Sequence, residues 1–252
     1  MSTNNEVISE VAIEIVNLTK RFKNRIAVDS LNLSIKKGEL FALLGQNGAG
    51  KTVTIKMLSC LLSPTSGDAT LMGNSITTNP VAVKKIINVS PQETAIAPNL
   101  SVKENLELIA KIYGSSKNEA QTAANEMLKS FSISERANDK AKSLSGGMQR
   151  RLSIAMALIS NPDIMFLDEP TLGLDVRARR DLWKVLTELK GKITILLTTH
   201  YLEEAEALSD RIGIIHNGKL QAIGTAQQLK EETGEATLED VFLKLTQEEE
   251  KL

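Results

Sequence analysis

Lys51 and Thr52 close the run Gly45-Gln46-Asn47-Gly48-Ala49-Gly50-Lys51-Thr52. It matches G-x-x-x-x-G-K-[ST], a pattern suited to polyphosphate. Glycines permit positive φ, so successive N–H groups from Gly45 through Asn47, Gly48, Ala49 and Gly50 can point into one concavity. A helix starting there adds unsatisfied donors and partial positive charge. Lys51 is placed to reach β- and γ-phosphates, and the Thr52 hydroxyl to ligate Mg2+. Far along the chain, the apolar run Asp163-Ile164-Met165-Phe166-Leu167 ends in Asp168-Glu169. Asp168 can hold Mg2+, directly or through water, and Glu169 can orient and polarise an attacking water. His200, one of two histidines, follows Thr198-Thr199 and can contact a γ-phosphate and hold that water. His216, beside Asn217-Gly218, reads as structural. Gln92 lies in a polar loop and has the weakest local signal.

These residues need elements to position them. Leu40 to Leu44 is short and apolar enough for a buried parallel strand, and Val53 to Leu58 reads as a helix. Strand, glycine loop and helix are the context that the loop chemistry requires. Val11 to Val16 reads as a strand and Asn17 to Asn24 as a polar loop in which Phe22 stands alone, either packing locally or stacking on a flat base. Ala27 to Ile35 is a further strand, Ser63 to Gly67 a turn, Ala69 to Met72 a short antiparallel strand, and Ile86 to Val89 a strand running into Gln92. Ser101 to Glu104 fits a capping box. The helix that it opens carries Leu106, Ile109, Ala110 and Tyr113 on one face. A second helix over about 118–131 completes a small helical pair.

Leu144-Ser145-Gly146-Gly147 starts a third helix with an inward stripe of Leu152, Ala155 and Ile159. Locally Ser145 is a good N-cap; functionally it is a second anion-binding helix end. A helix with Leu182, Val185, Leu186 and Leu189 leads to the strand Ile193 to Leu197. Asn217-Gly218 predicts a hairpin between two further strands. Strands alternating with helices imply an α/β fold with a mostly parallel sheet covered on both faces. In such sheets ligands bind at the carboxyl ends of strands, and the glycine loop, Gln92, Asp168-Glu169 and His200 all follow predicted strands. The competing reading of Asp168-Glu169, two acids capping the next helix or facing solvent, loses weight for that reason. Because strand side chains alternate, the pair need not face the same way, and Pro170 biases Glu169 toward extended backbone.

The totals bound the rest. A length of 252 residues, 42% hydrophobic and 24% charged, suits one compact unit with subdomains. Net charge is −1, with no long basic run, which argues against a dedicated nucleic-acid binder. The single cysteine, Cys60, has no internal disulfide partner and lies in apolar surroundings that favour an inert thiol. No apolar run has the length of a membrane span and the polar N-terminus lacks a signal-peptide pattern, so a cytosolic location is expected. Residues 1–10 and the acidic tail Gln247 to Lys251 read as solvated ends.

From Phe22 to about Gly224 the chain resembles the ATP-binding cassette family of phosphate-loop proteins, through Gly45–Thr52, Leu144–Gln149, Ile164–Glu169 and His200. The resemblance implies a P-loop NTPase fold with a mostly parallel core sheet, an N-terminal antiparallel β subdomain and an inserted helical subdomain near 93–160. It implies one ATP-binding domain over 1–252, with a C-terminal extension at 225–252. Residue by residue, Phe22 resembles the adenine-stacking aromatic, and Gln92 the glutamine that senses Mg2+ and couples to a transporter. Ser145 and Gly147 resemble residues contacting the γ-phosphate bound by an opposite subunit. Glu169 resembles the general base, Asp175 the interface aspartate and His200 the switch histidine.

The implied cofactors are ATP and Mg2+. The implied cycle closes a head-to-tail homodimer or heterodimer over two ATP molecules. Val53 departs from the family, which often has a second hydroxyl near the α-phosphate there. The segments Thr198–Glu206 and Thr237–Phe242 are similar to bacterial exporter subunits for drugs or antibiotics and to sodium exporters. Their permease is a separate integral-membrane chain, which would hold this one peripherally on the inner face of the cell membrane. An ATPase acting on nucleic acid or ribosomes would carry paired cassettes, a coiled-coil insertion or basic extensions, and none is visible. A silent regulatory module is opposed by Lys51, Asp168, Glu169 and His200 occurring together.

Overall fold

In the computed structural model, which describes residues 10–247, two sheets arise from opposite sequence patterns. Alternating residues form β1 (Val11–Phe22) and β2 (Arg25–Lys36), which join β4 (Ser66–Leu71) and β5 (Asn74–Ser75) in an antiparallel sheet of order β2-β1-β4-β5. Along β1, Ile13, Ile15 and Leu18 are buried while Glu14 and Val16 are exposed, as a half-covered sheet requires. The second sheet has the order β10-β9-β3-β8-β7-β6. In it β3 (Leu40–Leu44), β6 (Ile87–Ser90), β7 (Ile164–Asp168), β8 (Thr194–Thr199) and β9 (Arg211–His216) run parallel. Every residue of β3, β7 and β8 is buried. Strands covered on both faces therefore read as continuous apolar runs. β10 (Lys219–Gly224) returns antiparallel through Asn217 and Gly218, whose φ of 47° and 78° suit a tight primed hairpin turn.

Side-chain alternation splits the interior into two cores. Phe41 and Leu43 of β3 face the antiparallel sheet and α1 (Lys51–Leu58). Leu40, Ala42 and Leu44 face α5 (Gly146–Leu158), α6 (Val176–Leu189) and α7 (Leu202–Leu208). Between β6 and α5 the chain forms a helical pair, α3 (Val102–Ile112) and α4 (Lys117–Ser130). The capping box is present at Ser101: its hydroxyl accepts from Glu104 N at 3.1 Å and Glu104 Oε2 accepts from Ser101 N at 2.6 Å. Ser116 and Glu119 make a second box at α4. Among the described residues no helix is long and apolar enough to cross a membrane.

Several expectations are corrected. The segment 17–24 is not a loop: β1 continues to Phe22 because Asn17 (φ 49°) forms a bulge, after which pairing with β2 resumes. A bulge breaks the period-2 pattern without ending the ladder. Ser66 and Gly67 likewise belong to β4 rather than to a turn. Tyr113 is 52% exposed at the end of α3, and buried Asn105 takes its place on the inward face. Asn105 is neutralised there by hydrogen bonds to Ala97 and Ser101. Four helices went unpredicted: α2 (Pro80–Ile86), α7, α8 (Ala226–Thr233) and α9 (Leu238–Thr246). All are nine residues or fewer, too short for periodicity to stand out. The expected loose ends fall, except for Glu10 and Gln247, outside the described residues.

Candidate active site

Four loops leave the carboxyl ends of β3, β8, β7 and β6, which are neighbours in the sheet. They carry Lys51, His200, Asp168-Glu169 and Gln92, and with the tip of the β1–β2 hairpin they enclose a cavity of about 470 Å³. Phe22, Asn47, Gly48, Gly50, Lys51, Thr52, Val53, Gln92, Glu169 and His200 all line it. Gly45 and Ala49 form the back of the loop: the Gly45 carbonyl accepts from Lys51 Nζ at 2.7 Å, and Ala49 is buried. Gly50 has φ 110°, and a Cβ there would lie 2.5 Å from the Ala27 carbonyl oxygen, so only glycine fits. α1 then begins without a side-chain cap or a first-turn acid, which leaves its N–H donors free for an anion.

Lys51 Nζ lies 3.2 Å from Glu169 Oε1 and also donates to Gln46 O at 3.1 Å. Glu169 Oε2 lies 3.2 Å from His200 Nδ1, but off hydrogen-bond direction, so that nitrogen is buried without a hydrogen-bond partner. Glu169 corrects the extended backbone predicted for it. It has left the strand with φ 46°, a conformation that costs a non-glycine residue on the order of 1 kcal/mol and is found where a site over-determines the chain. Thr198 holds it there. Glu169 N donates to the Thr198 hydroxyl and carbonyl, each at 3.1 Å. The Thr198 hydroxyl donates onward to Asp168 Oδ1 at 2.6 Å, and Thr52 Oγ1 donates to the same oxygen at 3.1 Å. Asp168 thus meets Thr52 of the cavity lining from behind, as a shared cation would require.

The donor set fits Mg2+ with nucleotide. Among the described residues no cluster of three or more His, Cys, Asp or Glu could hold a metal by itself. Asp168 and Thr52 offer only two side-chain ligands, and Mg2+ is commonly completed by substrate phosphates and water. Phe22, 45% exposed, presents an open ring with Lys20 Nζ 5.2 Å from its centroid, a cation–π contact.

Ser145, Gly147 and Asp175 do not line this cavity. Ser145 caps α5, accepting from Met148 N at 3.4 Å, and Asp175 caps α6, accepting from Ala178 N at 2.9 Å. A Cβ on Gly147 would lie 2.8 Å from that of Ala178, so these helix starts adjoin each other away from the glycine loop.

Three features were missed in the sequence. Arg25 lines the cavity and donates to the Gly48 carbonyl at 3.1 Å; its pairing with Phe22 across the hairpin was hidden because that segment read as a loop. Arg150, 4% exposed, donates to Pro170 O at 2.9 Å, Asp168 O at 3.0 Å, Gln92 O at 3.4 Å and Pro91 O. Burial lowers its pKa to about 10, against the opposing pull of Asp168 and Glu204, so it stays cationic near neutrality. Glu204 is fully buried and accepts from Trp183 Nε1 at 3.1 Å, while its Oε2 makes no hydrogen bond. Burial raises its pKa, and the Trp183 hydrogen bond and the charge of Arg179 offset this only in part. No local pattern marks Arg150, and the segment Thr198–Glu206 that contains Glu204 gives no sign of its burial.

Comparison with known proteins follows the same lines. The family described as ABC transporter matches residues 28–172. The daunorubicin resistance ATP-binding protein DrrA3 of Streptomyces coeruleorubidus is 39% identical over 228 residues, spanning 90% of this chain and 72% of that protein. Human phospholipid-transporting ATPase ABCA3 is 41% identical over 226 residues, spanning 88% of this chain but 13% of its own length. The dimeric ATP-binding cassette MJ0796, solved in a post-hydrolysis state with ADP and phosphate, superposes with a TM-score of 0.76 at 29% identity, covering 84% of this chain and 98% of its own. The family match covers the cradle, the strand-end carboxylates and the capped helix between them, and the fold agrees over most of the chain, so this protein belongs to the ABC transporter family and has the fold of its ATP-binding cassette.

Proposed function

We propose that this chain is the ATP-binding and ATP-hydrolysing subunit of an ABC exporter, working with a separate membrane permease. One observation carries the chemistry: Lys51, Glu169 and His200, from the ends of three adjacent strands, meet through contacts of 3.2 Å at one glycine-loop cavity. The loop N–H groups and Lys51 bind the β- and γ-phosphates, and Phe22 stacks on adenine. Glu169 orients the water and takes its proton as the water oxygen bonds to the γ-phosphorus. The bond from that phosphorus to the ADP oxygen breaks, giving ADP and phosphate. His200 holds the water and the γ-phosphate in line. Thr52, Asp168 and Gln92 would hold Mg2+, which when bound neutralises phosphate charge.

Ser145 and Gly147 complete the pocket of a second subunit, identical or related, and Asp175 lies at that seam. Two ATP molecules are thereby enclosed in a head-to-tail dimer. The domain spans 1–252, with a helical subdomain over about 93–160 that faces the permease and an extension at 225–252. The permease keeps the chain peripheral on the inner face of the cell membrane. Export rather than import is supported by similarity to a daunorubicin resistance protein; the cargo is set by the permease.

The test is Glu169→Gln. Turnover should fall about 100- to 10,000-fold, with nucleotide affinity and ATP-stabilised dimers retained; normal hydrolysis would end the general-base assignment. Copurification of a polytopic membrane protein that stimulates hydrolysis tests the transport role, and its failure to appear in a membrane pull-down counts against it.

A further inference from the structure

Arg150 is the fifth residue of α5 and does not line the cavity. All its acceptors are main-chain carbonyls. Asp168 and Pro170 flank Glu169 in sequence, and Pro91 and Gln92 form the loop after β6. One guanidinium therefore grips both loops that carry Gln92 and Glu169. It does so from a helix whose residues 152–158 are all buried, so that the helix is packed into the core along that length. The same helix starts at Ser145, about 7.5 Å away along its axis at 1.5 Å per residue. Burying a charge solely to fill space is poor economy, since apolar side chains of like volume often stabilise as well or better. Five donors in a rigid fork instead suit a clamp on several backbones at once.

We infer that Arg150 is a positioning residue that ties the start of α5 to the loops bearing Gln92 and Glu169, so that γ-phosphate seated by a partner copy against Ser145 sets the hydrolytic geometry of this chain's own cavity. The inference rests on the ATPase and dimer reading above. It makes the two nucleotide sites of the dimer interdependent, through α5, without any contact between Arg150 and nucleotide.

The experiment compares the full-length wild type with Arg150→Met and Arg150→Lys, recording ATP turnover against ATP concentration, affinity for a fluorescent ATP analogue and the melting midpoint. The wild type should hydrolyse cooperatively. Arg150→Met should lose turnover at least tenfold and lose cooperativity while keeping nucleotide affinity. Arg150→Lys, with fewer donors, should recover part of the rate at unchanged KM. Wild-type rate and cooperativity in Arg150→Met would overturn the inference, as would a non-cooperative wild type. A parallel fall of turnover, affinity and melting midpoint without rescue by lysine would reduce the residue to a structural role and equally overturn it. If Arg150→Met does not fold, Arg150→Lys decides: lower kcat at constant KM supports the link, and unchanged kcat refutes it. Failure of the ATPase reading would appear separately, as no turnover by the wild type.

Discussion

The cavity at the strand ends and the paired starts of α5 and α6 both gather helix N-termini, yet they are finished to different degrees. In the cavity Lys51, Asp168 and Glu169 are each engaged by side chains or backbone of this same chain. At the helix starts the caps satisfy only their own first turns. A Cβ on Gly146 would meet nothing within 4 Å, and apolar Val176, the first residue of α6, stands 58% exposed. Exposed apolar groups beside donor-rich backbone are what an interface leaves uncovered in a single copy. Under the proposed function, the difference separates what one chain would do alone, gripping phosphate and aiming a base, from what would take two.

The sharpest way to break that division is Lys51→Ala. It removes a phosphate donor and leaves Glu169 without its cation, so turnover should fall about 100- to 1,000-fold and binding of a fluorescent ATP analogue should weaken in parallel; retained binding would place the nucleotide elsewhere. Next is Ser145→Arg. A bulky charge at the α5 start should abolish ATP-dependent dimers in the Glu169→Gln background and lower turnover about tenfold or more. Affinity of the single chain should stay within about twofold, as for a remote surface change. Sedimentation and binding measured together check this, and lost affinity would mean that the two regions are not separable.

Glu204 joins the regions, touching Trp183 of α6 and the end of β8. Its raised pKa means that the folded chain holds this proton more tightly than the unfolded one. The stabilisation is complete below the ordinary carboxylate value of 4.5 and is lost as pH rises through the folded-state value. Melting midpoints of the wild type should therefore decline over that window relative to Glu204→Gln, which cannot titrate; parallel curves would show Glu204 ionised when folded. The smallest effect belongs to Val53→Thr, at the cavity wall. A regained hydroxyl should tighten ATP binding by about 1 kcal/mol, the worth of one hydrogen bond, and titration showing no gain would count against a hydroxyl-poor loop.

Much of this was legible before folding was considered. β3 and the capping box at Ser101 appear where the residues put them, because a fully buried strand and a reciprocal cap are written in consecutive positions. Phe22 stands out in the sequence, but its support does not: only pairing with Arg25 across the hairpin shows that β1 runs that far. Glu169 was identified with the wrong backbone. Pro170 speaks to local preference, whereas the φ of 46° is imposed by Thr198 from another strand.

The sequence by itself determined the chemistry on offer and the order in which the strands deliver it, since glycine conformations, apolar runs and helix caps are interactions between near neighbours. Only the tertiary structure decided which distant groups share a cavity, that Arg150 clasps two loops of that cavity from a third element, and that Ser145, Gly147 and Asp175 stand apart. Those outcomes depend on strand order and on side chains meeting across the chain, and no local pattern encodes a contact between residues far apart along it.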